Sequence, residues 1–323
     1  MTTNEPRQLR YREAINEAIA EEMRRDPRII CYGEDVGVWE GIFGVTRGLL
    51  KEFGPERVVD MPISEQAIAG TAIGLAITGY RPIAEIMFLG MVGCCFDGIF
   101  FKMGNYKQMW GLNVPAIIRG GVGGSASGEH AYSPEALLQH SPGLQIVLPS
   151  TPYDAKGLMK TACRGEDPVI FCEHIDMYAV SGPVPEEEYF IPFGQADIKR
   201  EGKDVTIITY SGMVHKALEA AESLAKEGIE AEVVDLRTLV PLDEEAILSS
   251  VKKTGKVVIA HESMERGGPA GELTSIIADK AFDYLDAPVK RVAALNSMIP
   301  GGEFNKFVLP QTPWIINAVK SIM

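Results

Sequence analysis

The 323-residue chain has no run of Lys or Arg, and 44 acidic side chains outweigh 31 basic ones to leave a net charge of −13. A nucleic-acid surface neutralises phosphates with grouped cations, so this balance excludes that class of partner. Long apolar runs are missing too. The longest, Ile86 to Phe96, is too short to span a bilayer, and the opening residues are polar where a secretion signal would need an apolar core. The expectation is a cytoplasmic protein with no membrane partner. Cysteine is scarce: Cys31, Cys94, Cys95, Cys163 and Cys172 form an odd set without C-x-x-C spacing, mostly in apolar stretches, as reduced buried thiols are. Several catalytic signatures are also absent. The glycine-dense run Gly120 to Gly128 fits neither G-x-G-x-x-G nor the P-loop, and no G-x-S-x-G elbow occurs. His261-Glu262-Ser263-Met264-Glu265 begins like a zinc-protease motif but has Glu265 where the second His must stand, which favours a structural role at a strand end.

What is present is enough apolar residue, 46%, for two cores. Residues 1 to about 175 alternate short apolar runs with helical patterns, the sign of a parallel sheet covered on both faces. Arg28 to Tyr32, Val58 to Asp60, Ala116 to Ile118, Gln145 to Leu148 and Val169 to Cys172 read as strands, and Phe96 to Met109 as a helix. Residues 181–192 hold three prolines and an acidic run, which predicts an exposed linker. A second alternation follows, with strands at Val205 to Ile208, Glu232 to Asp235, Val257 to Ala260 and Val289 to Val292. Its helices fall at Val214 to Glu227, Asp243 to Lys252 and Ala270 to Tyr284. The predicted fold is α/β with two doubly wound domains, 1–185 and a smaller 186–323.

One stretch concentrates chemical potential. In Asp60-Met61-Pro62-Ile63-Ser64-Glu65-Gln66-Ala67-Ile68-Ala69-Gly70, Pro62 and Ser64 end a strand and an uncharged helix begins, so Glu65 is a first-turn carboxylate beside Ile63, Ala67, Ile68 and Ile86. On these residues alone a helix-stabilising acid and a catalytic acid are both open.

Together with Gly33-Glu34-Asp35-Val36, Glu85-Ile86-Met87-Phe88, Pro142-Gly143-Leu144, Pro149-Ser150-Thr151-Pro152-Tyr153-Asp154-Ala155-Lys156-Gly157, Asp235-Leu236-Arg237-Thr238-Leu239 and His261-Glu262, that stretch resembles the beta subunits of thiamine diphosphate-dependent 2-oxo acid dehydrogenases, the E1 component. The likeness spans nearly the whole chain. Glu85 to Phe88 and Phe171-Cys172-Glu173-His174 look most like the acetoin dehydrogenase branch, though the pyruvate and branched-chain branches share most of the rest.

The resemblance implies a pyrimidine-binding domain followed by a transketolase-like domain, with Glu65 hydrogen-bonded to N1′ of the cofactor's aminopyrimidine and assisting removal of its C2 proton. It places Ile63, Met87 and Met91 against the cofactor and makes His130 the active-site histidine of acyl transfer. It also puts a structural potassium ion near Val114, Ala116, Ile117, Cys163 and Asp167. Four positions beside these residues depart from the family. Gly90 and Met91 stand where an acid and an aromatic are usual, and Ala131-Tyr132 replaces Ser-Gln after the histidine. Methionine can still pack on a ring through its sulfur, by roughly 0.3–1.5 kcal/mol. No Gly-Asp-Gly occurs, so the resemblance assigns the Mg2+ and diphosphate anchor to an alpha subunit in an alpha2-beta2 assembly. A lipoyl-bearing E2 acyltransferase is the further partner and a small 2-oxo acid or acetoin the substrate. The rival functions are the C-terminal half of a split transketolase and a non-catalytic scaffold paralogue.

Overall fold

Apolar runs between amphipathic stretches produce parallel strands with helices on both faces, because such strands must be buried twice. The computed structural model describes residues 7–323; the polar opening of the chain lies outside them. The first domain contains β1 (Gln8–Arg10), α1 (Tyr11–Arg25), β2 (Ile29–Gly33), α2 (Leu49–Phe53), β3 (Val58–Asp60), α3 (Glu65–Ile77), β4 (Arg81–Phe88), α4 (Tyr106–Trp110), β5 (Ile117–Val122), α5 (Glu135–Leu138), β6 (Gln145–Val147), α6 (Pro152–Arg164), β7 (Val169–His174) and β8 (Ser181–Pro183). The second adds β9 (Asp197–Arg200), β10 (Val205–Thr209), α7 (Met213–Ala225), β11 (Ala231–Asp235), β12 (Thr238–Val240), α8 (Glu244–Thr254), β13 (Val257–Met264), α9 (Ala270–Ala281), β14 (Lys290–Ala294) and α10 (Thr312–Lys320).

The larger sheet runs β12-β6-β7-β5-β4-β2-β3, parallel throughout except for β12, which joins antiparallel to β6. The smaller sheet runs β14-β13-β10-β11-β9, again parallel except at the β9 edge. Helix starts follow local chemistry. Thr151 Oγ1 accepts from the Asp154 N–H at 3.0 Å with Pro152 at the first helical position of α6, and Asp243 caps α8 through the Ala246 N–H at 3.0 Å. α1 and α6 pack together on one face of the larger sheet, and α3 covers the other, fastened by the Tyr32 hydroxyl donating to the Ile68 carbonyl at 2.8 Å.

Two expectations need correction. Residues 181–192 are not simply an exposed linker: Ser181–Pro183 pairs antiparallel with Gln8–Arg10, Val184 and Ile191 are buried, and Tyr189 stacks on Tyr153 at 4.5 Å. Apolar residues between the prolines dock on α6, where Gly157 leaves room for Ile191 and Tyr189. Phe96 to Met109 is not one α-helix. Asp97–Met103 winds as a π-helix before α4 begins, with Gly98 and Gly104 weakening the ordinary register while Phe96 and Phe100 stack at 4.6 Å.

Candidate active site

In a parallel sheet the strands deliver their following loops to one edge, and ligands bind at the carboxyl ends. Glu34 follows β2, Glu65 opens α3 after β3, Met87 and Phe88 close β4, and the glycine-rich loop leaves β5, so all lie along that edge. Asp60 at the end of β3 accepts from the N–H groups of Gly37 and Val38 at 2.6 and 3.0 Å, tying the loop after Glu34 to the strand that leads to Glu65. Glu65 is half-buried above buried Ile68 and Ile86. Glu34 is buried with one carboxylate oxygen lacking a partner. Burial raises its pKa above the ordinary value, and the charges of Glu65 and Asp35 push it the same way. The sequence marked Glu34 only as part of a family landmark and not as a site residue; its place directly after a core strand was the available signal.

Ile63 is 84% exposed in the single chain, so it does not wall Glu65, and Ala67 is exposed as well. Met87 and Met91 are half-buried, Met91 packing against the core cluster that runs through both domains.

The loop after β5 turns at Gly123 and Gly124, both left-handed with φ of +61° and +72°, a region that favours glycine. It leads through a short turn, Gly128–Ala131, that presents His130 at the surface with its ring 4.5 Å from that of Phe88. Ala131 is fully buried, which serves as an apolar peg for the turn. Gly90, half a turn beyond Phe88, lies directly beneath the Glu129 carbonyl. Beneath this edge, buried Arg119 on β5 binds Glu173 in bidentate fashion at 2.6 and 2.7 Å and also pairs with Glu85, while the Tyr178 hydroxyl donates to Glu173 at 2.8 Å. Two carboxylates share one guanidinium, so burial keeps the Glu85 pKa raised even against Arg119.

Of the five residues expected around a potassium ion, Asp167, Val114 and Ala116 each have a partner within the chain. Asp167, the sole carboxylate among them, is already paired with the Lys107 ammonium. The Val114 carbonyl accepts from the Ala116 N–H at 2.7 Å and the Ala116 carbonyl from the Val169 N–H at 2.9 Å. Ile117 and Cys163 are buried core residues. The neighbouring Gly165 carbonyl and Glu166 carboxylate are held by Arg81, so fixed side-chain cations hold this corner. Among the described residues no group of His, Cys, Asp or Glu is arranged to hold a metal ion.

The transketolase pyrimidine-binding domain family matches residues 7–180, and the transketolase C-terminal domain family matches residues 194–315. The chain is 47% identical over 91% of its length to the acetoin:2,6-dichlorophenolindophenol oxidoreductase subunit beta of Cupriavidus necator, covering 91% of that protein. It is 43% identical over 98% of its length to the pyruvate dehydrogenase E1 component subunit beta of Bacillus subtilis, covering 99% of that protein. The chain belongs to the E1 beta-subunit family. A solved split-gene transketolase, described as an inactive beta4 tetramer, shares the fold of this E1 beta-type chain with a TM-score of 0.81 at 26% identity, covering 97% of this chain and 98% of that one.

For an E1 beta subunit, the residues at the strand edge fit an aminopyrimidine. A half-buried first-turn carboxylate and, near it, the buried, unpartnered oxygen of Glu34 offer hydrogen-bonding groups to its ring nitrogens. Among the described residues no helix is long and apolar enough to cross a membrane.

Proposed function

We propose that this chain supplies the pyrimidine side of a divided thiamine diphosphate site that cleaves acetoin or a 2-oxo acid and transfers the acyl group to a lipoyl-bearing E2 acyltransferase. The observation that carries this reading is Glu65 in the first turn of α3, at the carboxyl edge of the sheet and beside buried Glu34. Thiamine diphosphate, when bound, supplies a nucleophilic carbon able to attack a carbonyl. Glu65 would hold a proton against N1′ of the aminopyrimidine, with Ile68 and Ile86 in the buried core behind it. Met87 and Met91 pack beside the ring, Met91 through its polarizable sulfur. His130, at the exposed end of the glycine-rich loop, gives a proton to the sulfur that leaves the lipoyl disulfide as the acyl thioester forms.

The rest of the site comes from an alpha subunit, which holds Mg2+ and the diphosphate in an alpha2-beta2 assembly. Support comes from the absence of Gly-Asp-Gly and from exposed apolar side chains on the loops after β2 and β3: Val38, Trp39, Ile42 and Ile63 are 75, 74, 56 and 84% exposed. We place the domain division at residues 185/186, between the matched spans, and the protein in the cytoplasm, which suits five unpaired cysteines. No potassium ion is assigned. A sugar phosphate, as a transketolase takes, would need cations at the loop, but Gly120 to Glu129 has none and Arg119 is committed to two carboxylates.

The test is Glu65→Gln in the reconstituted alpha-beta complex. An amide cannot share a proton with N1′, so hydrogen-deuterium exchange at the cofactor's C2 slows by about 10²–10⁴-fold. Exchange at the wild-type rate would leave Glu65 as a helix-stabilising acid and sink the reading.

A further inference from the structure

The segment that carries His130 is gripped from the other domain. The turn at Gly123 and Gly124 aims the Gly124 N–H at Oε2 of Glu262 on β13, 3.0 Å away. A β-carbon at Gly123 would meet that same oxygen at 2.5 Å, so only a glycine lets the carboxylate come so close. Glu262 is itself fixed from two sides: His174 Nε2 bonds its Oε2 at 2.8 Å, and Lys216 Nζ donates to its Oε1 at 3.0 Å and to the Pro310 carbonyl at 2.9 Å. Further along, the Gly128 N–H donates to the Ile299 carbonyl at 2.9 Å. Just past the turn, buried Glu135 accepts at Oε1 from the Tyr210 hydroxyl at 2.8 Å and from Ser263 Oγ at 2.9 Å. Ser263 Oγ lies 2.7 Å from the Ser133 carbonyl as well, so its one proton is shared between the two acceptors. Within its own domain the loop gains Asp176, which accepts from the N–H and hydroxyl of Ser125 at 3.0 and 2.6 Å. His130 thus sits between anchors at Gly124, Gly128 and Glu135 that all come from the second domain.

We propose that Glu262 is a positioning residue for His130: by holding the Gly124 N–H it sets where the loop leaves the sheet, and so where the imidazole stands for acyl transfer. The inference rests on the reading of His130 given above. It assigns the second domain, which contributes none of the proposed cofactor contacts, the task of moulding a loop of the first. Reach rather than charge is what Glu262 contributes to the loop, because the bond to Gly124 is made by one oxygen at a fixed distance from β13.

Two conservative variants separate reach from charge in the reconstituted alpha-beta complex. Glu262→Asp keeps the charge that pairs with His174 and Lys216 but withdraws the oxygens by one methylene. Glu262→Gln keeps an oxygen at the right distance without the charge. Acyl transfer to a free lipoyl domain falls about 10²-fold in Glu262→Asp, the usual consequence of a misplacement near 1 Å. In Glu262→Gln it falls by about tenfold at most, the difference between a charged and a neutral hydrogen bond. Cleavage followed with an artificial electron acceptor stays near the wild-type rate in both. Adding His130→Ala to Glu262→Asp gives no further loss beyond His130→Ala alone, since both remove one contribution. A Glu262→Asp enzyme near wild type beside an impaired Glu262→Gln, or losses that multiply in the double variant, would overturn the proposal. If His130→Ala alone leaves acyl transfer intact, the reading of His130 has failed. Amide exchange over Gly124 to His130 then decides the positioning separately: faster exchange in Glu262→Asp supports it, and unchanged exchange refutes it.

Discussion

Gly90 decides how closely the His130 turn lies on the strand end that carries Phe88, and Gly90→Ala tests this directly. A β-carbon built at Gly90 runs into the Glu129 carbonyl oxygen and comes within 3.0 Å of that carbonyl's carbon and 3.2 Å of Tyr132 Cβ. A carbon and a carbonyl oxygen in contact normally stand about 3.3–3.6 Å apart. The obstacle is backbone rather than the end of a flexible side chain, so the turn must retreat by more than about 1 Å, and a displacement of about 1 Å can already cost about 10²-fold in a well-oriented reaction. Gly90 lies outside the left-handed region, so alanine meets no conformational penalty there and stiffens the unfolded chain by about 0.4–1 kcal/mol. Overpacking opposes this by about 1–3 kcal/mol, leaving a modest net destabilisation. The assay uses one preparation of the reconstituted complex, with acyl transfer to a lipoyl domain beside dye-coupled cleavage and a thermal melt. Acyl transfer drops by about 10²-fold, cleavage by much less, and the melt falls by a few degrees. Unchanged acyl transfer with a lowered melt would show that the turn moves without carrying His130, and the steric argument would be wrong.

Arg119→Met strands Glu85 and Glu173 in the core without their guanidinium and lowers stability by about 3–5 kcal/mol in urea unfolding at neutral pH; a loss under 1 kcal/mol would contradict the assigned pairing. For the His174–Glu262 pair, burial opposes both charges and mutual attraction overrides it, holding His174 above its ordinary 6.5 and Glu262 below its ordinary 4.5. The His174 share of stability is whole below pH 6.5 and is lost as pH rises through the folded value, and the Glu262 share is whole above pH 4.5 and is lost as pH falls through its own. The stability gap between wild type and Glu262→Gln is therefore widest between those two values, and an equal gap at pH 9 would refute the pairing. In a thiol titration of the native chain Cys94 alone reacts quickly, being exposed, whereas burial pushes Cys31 and Cys95 each up to about 12. Rapid reaction of two thiols would show that the core opens.

The elements legible in the sequence are those whose apolar period is long or bounded by strong breakers. Pro62 and Ser64 before Ala67 to Ile77 placed Glu65 correctly in the first turn of α3, and the four strands and three helices expected in the second domain fell close to their predicted positions, whereas the short edge strands β9 and β12 and the helix α10 were not anticipated. Ile63, expected beside Glu65, is 84% exposed, because it precedes the helix at a point where nothing in this chain packs against it. Glu34, Glu135 and Glu262 were invisible as a set, since each gains its meaning from a neighbour far along the chain. Some landmarks proved architectural: Arg237 donates to Asp154 at 2.8 Å and Ser150 to Asp235 at 2.5 Å, so two motifs read separately are one contact between domains. Gly90, read as a departure from the family, acquires a cause in the Glu129 carbonyl.

The antiparallel strand β12 has a consequence for how the protein is made. The larger sheet lies within residues of the first domain except at this edge, where Thr238 pairs with Val147 and the Leu148 N–H donates to the Arg237 carbonyl at 2.8 Å. During synthesis at about 5–20 residues per second, β6 waits for several seconds as an open edge, the state in which strands recruit strangers. A nascent or truncated first domain is therefore a sticky intermediate, and the two domains mature as a single cooperative object whose last strand closes the first sheet.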